Sequence, residues 1–391
     1  MVASVRVPVD VSIWDWVTRI GFLGSLTPDD HRNIERWRAG ESAPTVNQLS
    51  RFSRKLRVPF GYFFLDEPIE DTPPVFAHRT IANASITKPS RELVDTLTDM
   101  QTVQDWVRQD ALETGLERLP FVGSCPVGSV DAAMLTQRIR QMLGLSPDWF
   151  DRKGRRLPIE EAFALLRKRC EDARVVVMLN GIVGDNTHRP LDAREFRAFA
   201  LIDEYAPLVF INRTDSHCGQ LFSLAHEIAH IWVGVEEIYN DVYHYTSNVP
   251  VEVLCNAVAA ELLVPRELFS VRWQRAMNDD ADARETVMNL AKEFPASPVV
   301  IARRALDGKL ISEEMYRNIA DESLRQWEQR DAHGSTGGDY YNTKQSRLDH
   351  RFAERLAASV SEGRTSYVDA YRLTGSNRKT FPRILESMGV R

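Results

Sequence analysis

Residues 224–232 read LAHEIAHIW, and this stretch decides the fold around it. His226 and His230 are four apart, so on a helix they differ by about 40° in direction and about 6 Å in height, and both rings reach one ion. Glu227 follows the first histidine, where it can take a proton from a water molecule at that ion without ligating the ion itself. Leu224, Ala225, Ile228, Ala229 and Ile231 surround the polar trio, which places the helix beneath a cleft. Two imidazoles and a carboxylate buried together need partners, and a cation provides one.

A catalytic tetrahedral ion takes a third protein ligand and keeps one position open. The next helical stretch, VPVEVLCNAVAAELLVP at residues 249–265, offers Glu252 and Glu261, with Pro250 suited to a first turn and Pro265 to a stop. The two glutamates are nine apart, about 180° around a helix, so they cannot both face the ion. Asn256, Ala259 and Leu263 share the side of Glu252, forming a seam that lets the two helices approach. Glu252 is therefore the expected third ligand, Asn256 the group that orients a ligating histidine, and Glu261 a structural residue. The donor types point to Zn2+, and Mn2+ or Fe2+ fit the same set of two histidines and one carboxylate.

Upstream of the metal helix the pattern changes to strands. RVVVML (174–179), EFRAFALID (195–203) and APLVFIN (206–212) are rich in valine, isoleucine and phenylalanine and are punctuated by Gly181, Gly184 and Pro207. They predict a small sheet of antiparallel type. Helical periodicity covers residues 91–112, 130–145 and 159–169, and resumes after Pro265 to the end apart from HGSTGGD at 333–339. Residues 13–65 read as short helices broken near Gly40 and Pro44, and the acidic, proline-rich DEPIEDTPP (66–74) reads as a linker. The expected fold is α+β and mostly helical. Its divisions are a helical helix-turn-helix-like module at 1–70, a linker and helical region at 71–155, a core at 156–312 and a C-terminal helical region at 313–391.

The composition, 43% apolar and 27% charged, is that of a folded globular chain, and the formal net charge of -6 argues against one devoted wholly to nucleic acid. The opening residues lack a leader pattern and no stretch approaches 18 consecutive apolar residues, so a cytoplasmic protein without a membrane role is expected. Cys125, Cys170, Cys218 and Cys255 show no paired C-x-x-C spacing and read as reduced, small buried fillers.

The chain resembles the ImmA/IrrE metallo-endopeptidases, named for a mobile-element immunity protease and a radiation-response protease. NTHRPLDAREFRAFALIDEYAPLVFIN, LFSLAHEIAHIW, VEVLCNAVAAELLVP and FPASPVVIARRALDGKLIS follow that family's pattern in order from about Asn186 to Ser312, including the E-x-x-x-N spacing of Glu252 and Asn256. Similar members carry a degenerate XRE-like helix-turn-helix module in front, which WRAGESAPTVNQLSRFSRKLRVPFGYFFLDEP and PVFAHRT resemble. GGDYYNTKQSRLDHRFAERL and the tail to Arg391 resemble the family's C-terminal helices. The resemblance implies a zincin-like core with a gluzincin-like third ligand, acting by limited proteolysis of a DNA-bound XRE-type repressor to switch on mobile-element or stress-response genes. Gly219 and Gln220 stand where many members carry an arginine.

Other residues carry lesser expectations. In the N-terminal module Arg32, Arg36, Arg38, Arg51, Arg54, Lys55 and Arg57 face only Glu35 and Glu41 over the same span, a composition suited to DNA phosphates or to a partner protein. Against DNA stand Asp29 and Asp30, in a segment, GSLTPDDHRNIERW, with little room for a well-formed second helix. YVDAYRLTGSNRKTFPRILESMG (367–389) is a second candidate helix-turn-helix with Gly375 at its turn and Arg378, Lys379 and Arg383 beyond, or else a basic helical cap. Arg189 and Arg197 flank the strand region and read either as holders of a substrate carboxylate or cleft-wall residues, or as salt-bridging residues at the surface or core edge, the latter favoured. Tyr239, Tyr243, His244 and Tyr245 are candidates for an oxyanion donor. EFRAFALID offers an edge for an added substrate strand. A competing function is a DNA-binding or antitoxin-like regulator whose metal fold serves recognition alone; such a protein needs the histidines but not the base at 227.

Overall fold

A computed structural model describes residues 5–69, 89–235, 238–239, 249–278, 282–331 and 340–390. Two compact units emerge, one from the described residues up to 69 together with 89–95, the other from Thr96 onward.

The first unit is helical. Helices α1 (Val11–Ile20), α2 (Pro28–Arg38) and α3 (Val46–Leu56) surround Trp14, Trp37, Phe52 and Phe63, with the rings of Trp14 and Trp37 stacked at 5.3 Å. Thr27 and Thr45 begin α2 and α3 with reciprocal capping boxes, closed by Asp30 and Gln48. The segment expected to leave little room for a second helix thus forms one of eleven residues. Its two aspartates, together with Pro28 at the first position, are a helix start signal, and their charge favours the helix N-terminus.

Asp30 turns inward and meets Lys55 and Arg51. Burial pushes its carboxyl up, but the Lys55 ammonium and the Thr27 donors outweigh that and hold it down at about 2. A depressed carboxylate stabilises the fold above its unfolded value near 4 and ceases to do so as pH falls through its folded value. Asp30→Asn is therefore expected to lower the opening free energy of α1 and α3 amides by on the order of 2 kcal/mol at pH 7. The difference should shrink as pH falls from about 4 to about 2. Hydrogen exchange measures it, and a deficit of the same size at both ends of that window would remove Asp30 ionisation as the cause.

The second unit contains α4 from Thr96 to Glu113 (its full span is Arg91–Glu113), α5 (Ala132–Leu143), the β1/β2 hairpin (Asp151–Arg152, Arg155–Arg156) and α6 (Ile159–Asp172). A four-stranded sheet follows, from β3 (Val176–Asn180), β4 (Ala198–Leu201), β5 (Leu208–Asn212) and β6 (Ile238–Tyr239) in the order β3-β5-β4-β6. The β4 pairings to β5 and β6 are antiparallel, but β3 runs parallel to β5, with Val176 opposite Leu208. The sheet is therefore mixed rather than wholly antiparallel. The runs VVML and LVFI are apolar on both faces, as strands covered on both sides are, and such runs carry no sign of direction. Val177, Leu179, Val209 and Ile211 join the main core, while Phe196, Phe199 and Phe210 cluster together, with the rings of Phe199 and Phe210 stacked at 5.1 Å.

Helix α7 (His217–Val233) packs against β4, β5 and α8 (Pro250–Leu263), and every residue of α7 from Gly219 to Val233 is buried. Helices α9 (Arg266–Asn278), α10 (Ala283–Glu293), α11 (Pro298–Asp307) and α12 (Glu313–Asp331) follow. The last carbonyls of α8 and its cap are met by side chains from elsewhere: Arg140 donates to Glu261 O, Trp149 to Leu262 O and Arg304 to Val264 O. Two arginines at a helix C-terminus also suit its negative end.

The C-terminal helices α13 (Tyr340–Arg347), α14 (His350–Ser361), α15 (Tyr367–Thr374) and α16 (Thr380–Ser387) belong to this same unit. Arg167 donates to Val177 O, Ser346 O and Leu348 O, Asp349 accepts from Val177 N, and Arg355 and Arg364 both pair with Asp110. No helix among the described residues is long and apolar enough to cross a membrane.

Candidate metal centre

Ser216 caps α7 by accepting from Gly219 N, and the helix ends at Gly234, whose φ of 79° lies in the left-handed region. A side chain there would also meet the backbone of Gly123 at 2.8 Å. His226 and His230 project from adjacent turns of α7, and Glu252 reaches them from the first turn of α8. The two Nε2 atoms are 3.0 Å apart and lie 3.2 and 3.1 Å from the Glu252 carboxylate oxygens. All three side chains are essentially inaccessible.

The opposite nitrogen of each ring is engaged. His226 Nδ1 is 2.9 Å from Asn256 Oδ1, and His230 Nδ1 is 3.0 Å from Val235 O. A backbone carbonyl only accepts, so His230 carries its proton on Nδ1, and the same arrangement with Asn256 holds for His226. Both Nε2 lone pairs then converge with a carboxylate whose two oxygens make no hydrogen bond. Acceptors gathered this closely without a donor repel one another unless a cation lies among them. Donors about 2.0–2.2 Å from a tetrahedral ion are roughly 3.3–3.5 Å apart, close to the separations found here, so the residues fit zinc.

The electrostatics agree. Burial pushes Glu252 up, yet His226 and His230 outweigh it and hold the carboxyl far below the usual range. Burial pushes His226 down, whereas His230 is driven up because Cys255 and Glu252 outweigh the same penalty. A positive charge is favoured at the point where Nε2 of His230 meets Glu252.

Glu227 is fully buried on α7 beside His226. Glu261 points elsewhere, to Arg304 and to Arg266 N, in keeping with a structural role. Arg197 is buried and pairs with Asp215 at 2.8 Å, while its guanidinium lies 5.6 Å from the Trp327 ring centre. A Cβ at Gly219 would collide with the Asp215 carboxylate, and Gln220 donates to Arg213 O and Asp215 O. The Gly219-Gln220 pair thus makes room for the buried Arg197–Asp215 pair at the start of α7. Cys255 is buried and Cys218 partly so.

Several expectations take a different form. The outer edge of β4, expected to receive a substrate strand, is paired with β6 at Ala198 and Phe199. Tyr243, His244 and Tyr245 lie outside the described residues, and of Tyr239 only the backbone in β6 is described. Val235 O was not expected at the site because a backbone carbonyl has no side-chain signature. Its sequence sign is Gly234, which stops the helix and turns the next carbonyl back toward His230.

Two imidazoles four apart on one helix, a carboxylate from the next and a buried glutamate after the first histidine define a metallopeptidase-type domain. Residues 170–306 match the family model Peptidase_M78, the IrrE N-terminal-like domain of the ImmA/IrrE family. Residues 348–387 match a domain of unknown function, DUF8813. No curated protein gives a significant match to the chain.

Proposed function

We propose that this protein is a zinc-dependent endopeptidase of the cytoplasm that cleaves an XRE-type repressor and so switches on mobile-element or stress-response genes. The observation that carries the reading is the convergence of His226, His230 and Glu252, with both imidazole rings held from behind and Glu227 buried on the same helix as the histidines. Zinc bound there supplies Lewis acidity toward the scissile carbonyl and toward water. Glu227 accepts the proton of the attacking water and returns it to the departing amide nitrogen. Asn256 and Val235 O fix the ring orientations, and the apolar residues around the trio limit water access.

The test incubates the protein with a purified candidate XRE-type repressor, before and after chelation. Cleavage at one bond should vanish with the chelator and return on adding about one zinc per chain. Cleavage indifferent to chelation would sink the proposal, as would no cleavage of that repressor by zinc-loaded protein.

A further inference from the structure

We infer that residues 366–388 form a helix-turn-helix that binds double-stranded DNA, and that DNA contact is made here rather than through the N-terminal module. The inference is independent of the peptidase reading and assigns an activity to the segment that matches a domain of unknown function.

The geometry is built from named bonds. Helix α15 begins with Ser366, whose hydroxyl accepts from Asp369 N, and ends at Gly375 in the left-handed region with φ 57°. Ser376 N returns to Tyr371 O. Asn377 Oδ1 then accepts from Thr380 N while Thr380 Oγ1 accepts from Asn377 N, a reciprocal cap that starts the next helical turn at Arg378. The connection is thus Gly375-Ser376-Asn377, a short glycine-containing turn of the kind that joins the two helices of such motifs. Across it, Tyr371 meets Phe381 edge to face at 5.7 Å, and Phe381, Ile384 and Met388 are buried.

Outward on the leading turn and the first turns of the second helix are Asn377, Arg378, Lys379, Pro382, Arg383 and Glu386, all exposed. In a helix-turn-helix the N-terminal part of the second helix enters the major groove while the first helix crosses the backbone. Arg378 and Lys379 stand at that leading turn and Arg372 on the first helix. These three exposed cations form no ion pair with any described residue.

The N-terminal module differs. Arg32 pairs with Asp29, Arg36 with Glu41, Arg38 with Asp15, Arg51 and Lys55 with Asp30, and Arg57 with Glu92, so that of its seven basic residues between 32 and 57 only the exposed Arg54, which donates to Ser50 O, has no acidic partner among the described residues. Cations matched by internal acids present little net field to a phosphate backbone, whereas unmatched ones release counterions on contact.

The experiment measures binding of the full chain to a 30-base-pair duplex by fluorescence anisotropy across a salt series, using Glu227→Gln protein beside wild type so that the outcome does not depend on peptidase activity. The double variant Arg378→Ala/Lys379→Ala should bind about 100-fold more weakly at about 50 mM salt and lose about two units of the salt slope. Arg378→Lys/Lys379→Arg should restore binding, and Arg36→Ala/Arg54→Ala should leave it unchanged. An unaltered thermal transition in the alanine pair shows that it still folds. The inference is overturned by wild type that does not bind duplex DNA, by an alanine pair that binds as wild type does, by loss confined to the N-terminal pair, or by single-stranded RNA competing as well as duplex.

Discussion

Glu227→Gln is expected to hold about one zinc per chain and to cleave the repressor 100- to 10,000-fold more slowly, about 3–5 kcal/mol in the barrier. Glutamine keeps the shape of the side chain but cannot take a proton from water. The three donors, His226, His230 and Glu252, are untouched by the change, and so are the contacts that orient them, Asn256 Oδ1 and Val235 O. Metal content by elemental analysis and single-turnover cleavage at fixed zinc separate loss of the base from loss of the ion. A variant that loses zinc and activity together would assign position 227 to the metal shell. One that keeps both would place the base on another residue, and one that keeps zinc where wild type also fails to cleave would favour a site used for recognition alone.

The legibility of this centre in the sequence follows from how local its geometry is. His226, Glu227 and His230 occupy one and a bit helical turns, so their spacing alone puts both rings on one side. Glu252 was readable because Pro250 marks the start of its helix, and the wheel sends Glu261 to the opposite side, where it meets Arg304. Contacts between distant segments and backbone groups were not readable. Val235 O is a peptide carbonyl, and the caps that Arg140 and Arg304 supply to α8 come from residues far from it in sequence.

The same distinction holds for the fold. Alternation and apolar runs located β3, β4 and β5, but strand direction depends on how the intervening chain crosses, so the parallel β3/β5 pair was invisible. At α2 the sequence pattern was present and read for the wrong property. Counted along the chain, Asp29 and Asp30 are charges facing phosphate, whereas behind Thr27 and Pro28 they are the opening of a helix, and Asp30 is taken up by Lys55 and Arg51. Charge counted along the chain overstated the basic character of that module because the acids that match it come from residues 15, 29, 30 and 92.

Removing the third ligand is expected to abolish zinc-induced stabilisation. With free zinc at about 1,000 times its dissociation constant, binding adds about 4 kcal/mol, which for a unit of this size raises the melting temperature by on the order of 10 °C. In Glu252→Ala two imidazoles remain, and the shift should fall to near zero at the same zinc concentration. Asn256→Ala makes a useful contrast: it leaves the His226 Nδ1–H buried without its acceptor, so metal-free stability should drop by about 1–3 kcal/mol while zinc affinity falls only about 10- to 100-fold. Calorimetry with and without zinc reads both quantities. An undiminished zinc shift in Glu252→Ala would mean that another residue completes the coordination. A loss equal to it in Asn256→Ala would mean that ring orientation, rather than the number of ligands, decides whether this centre holds its ion.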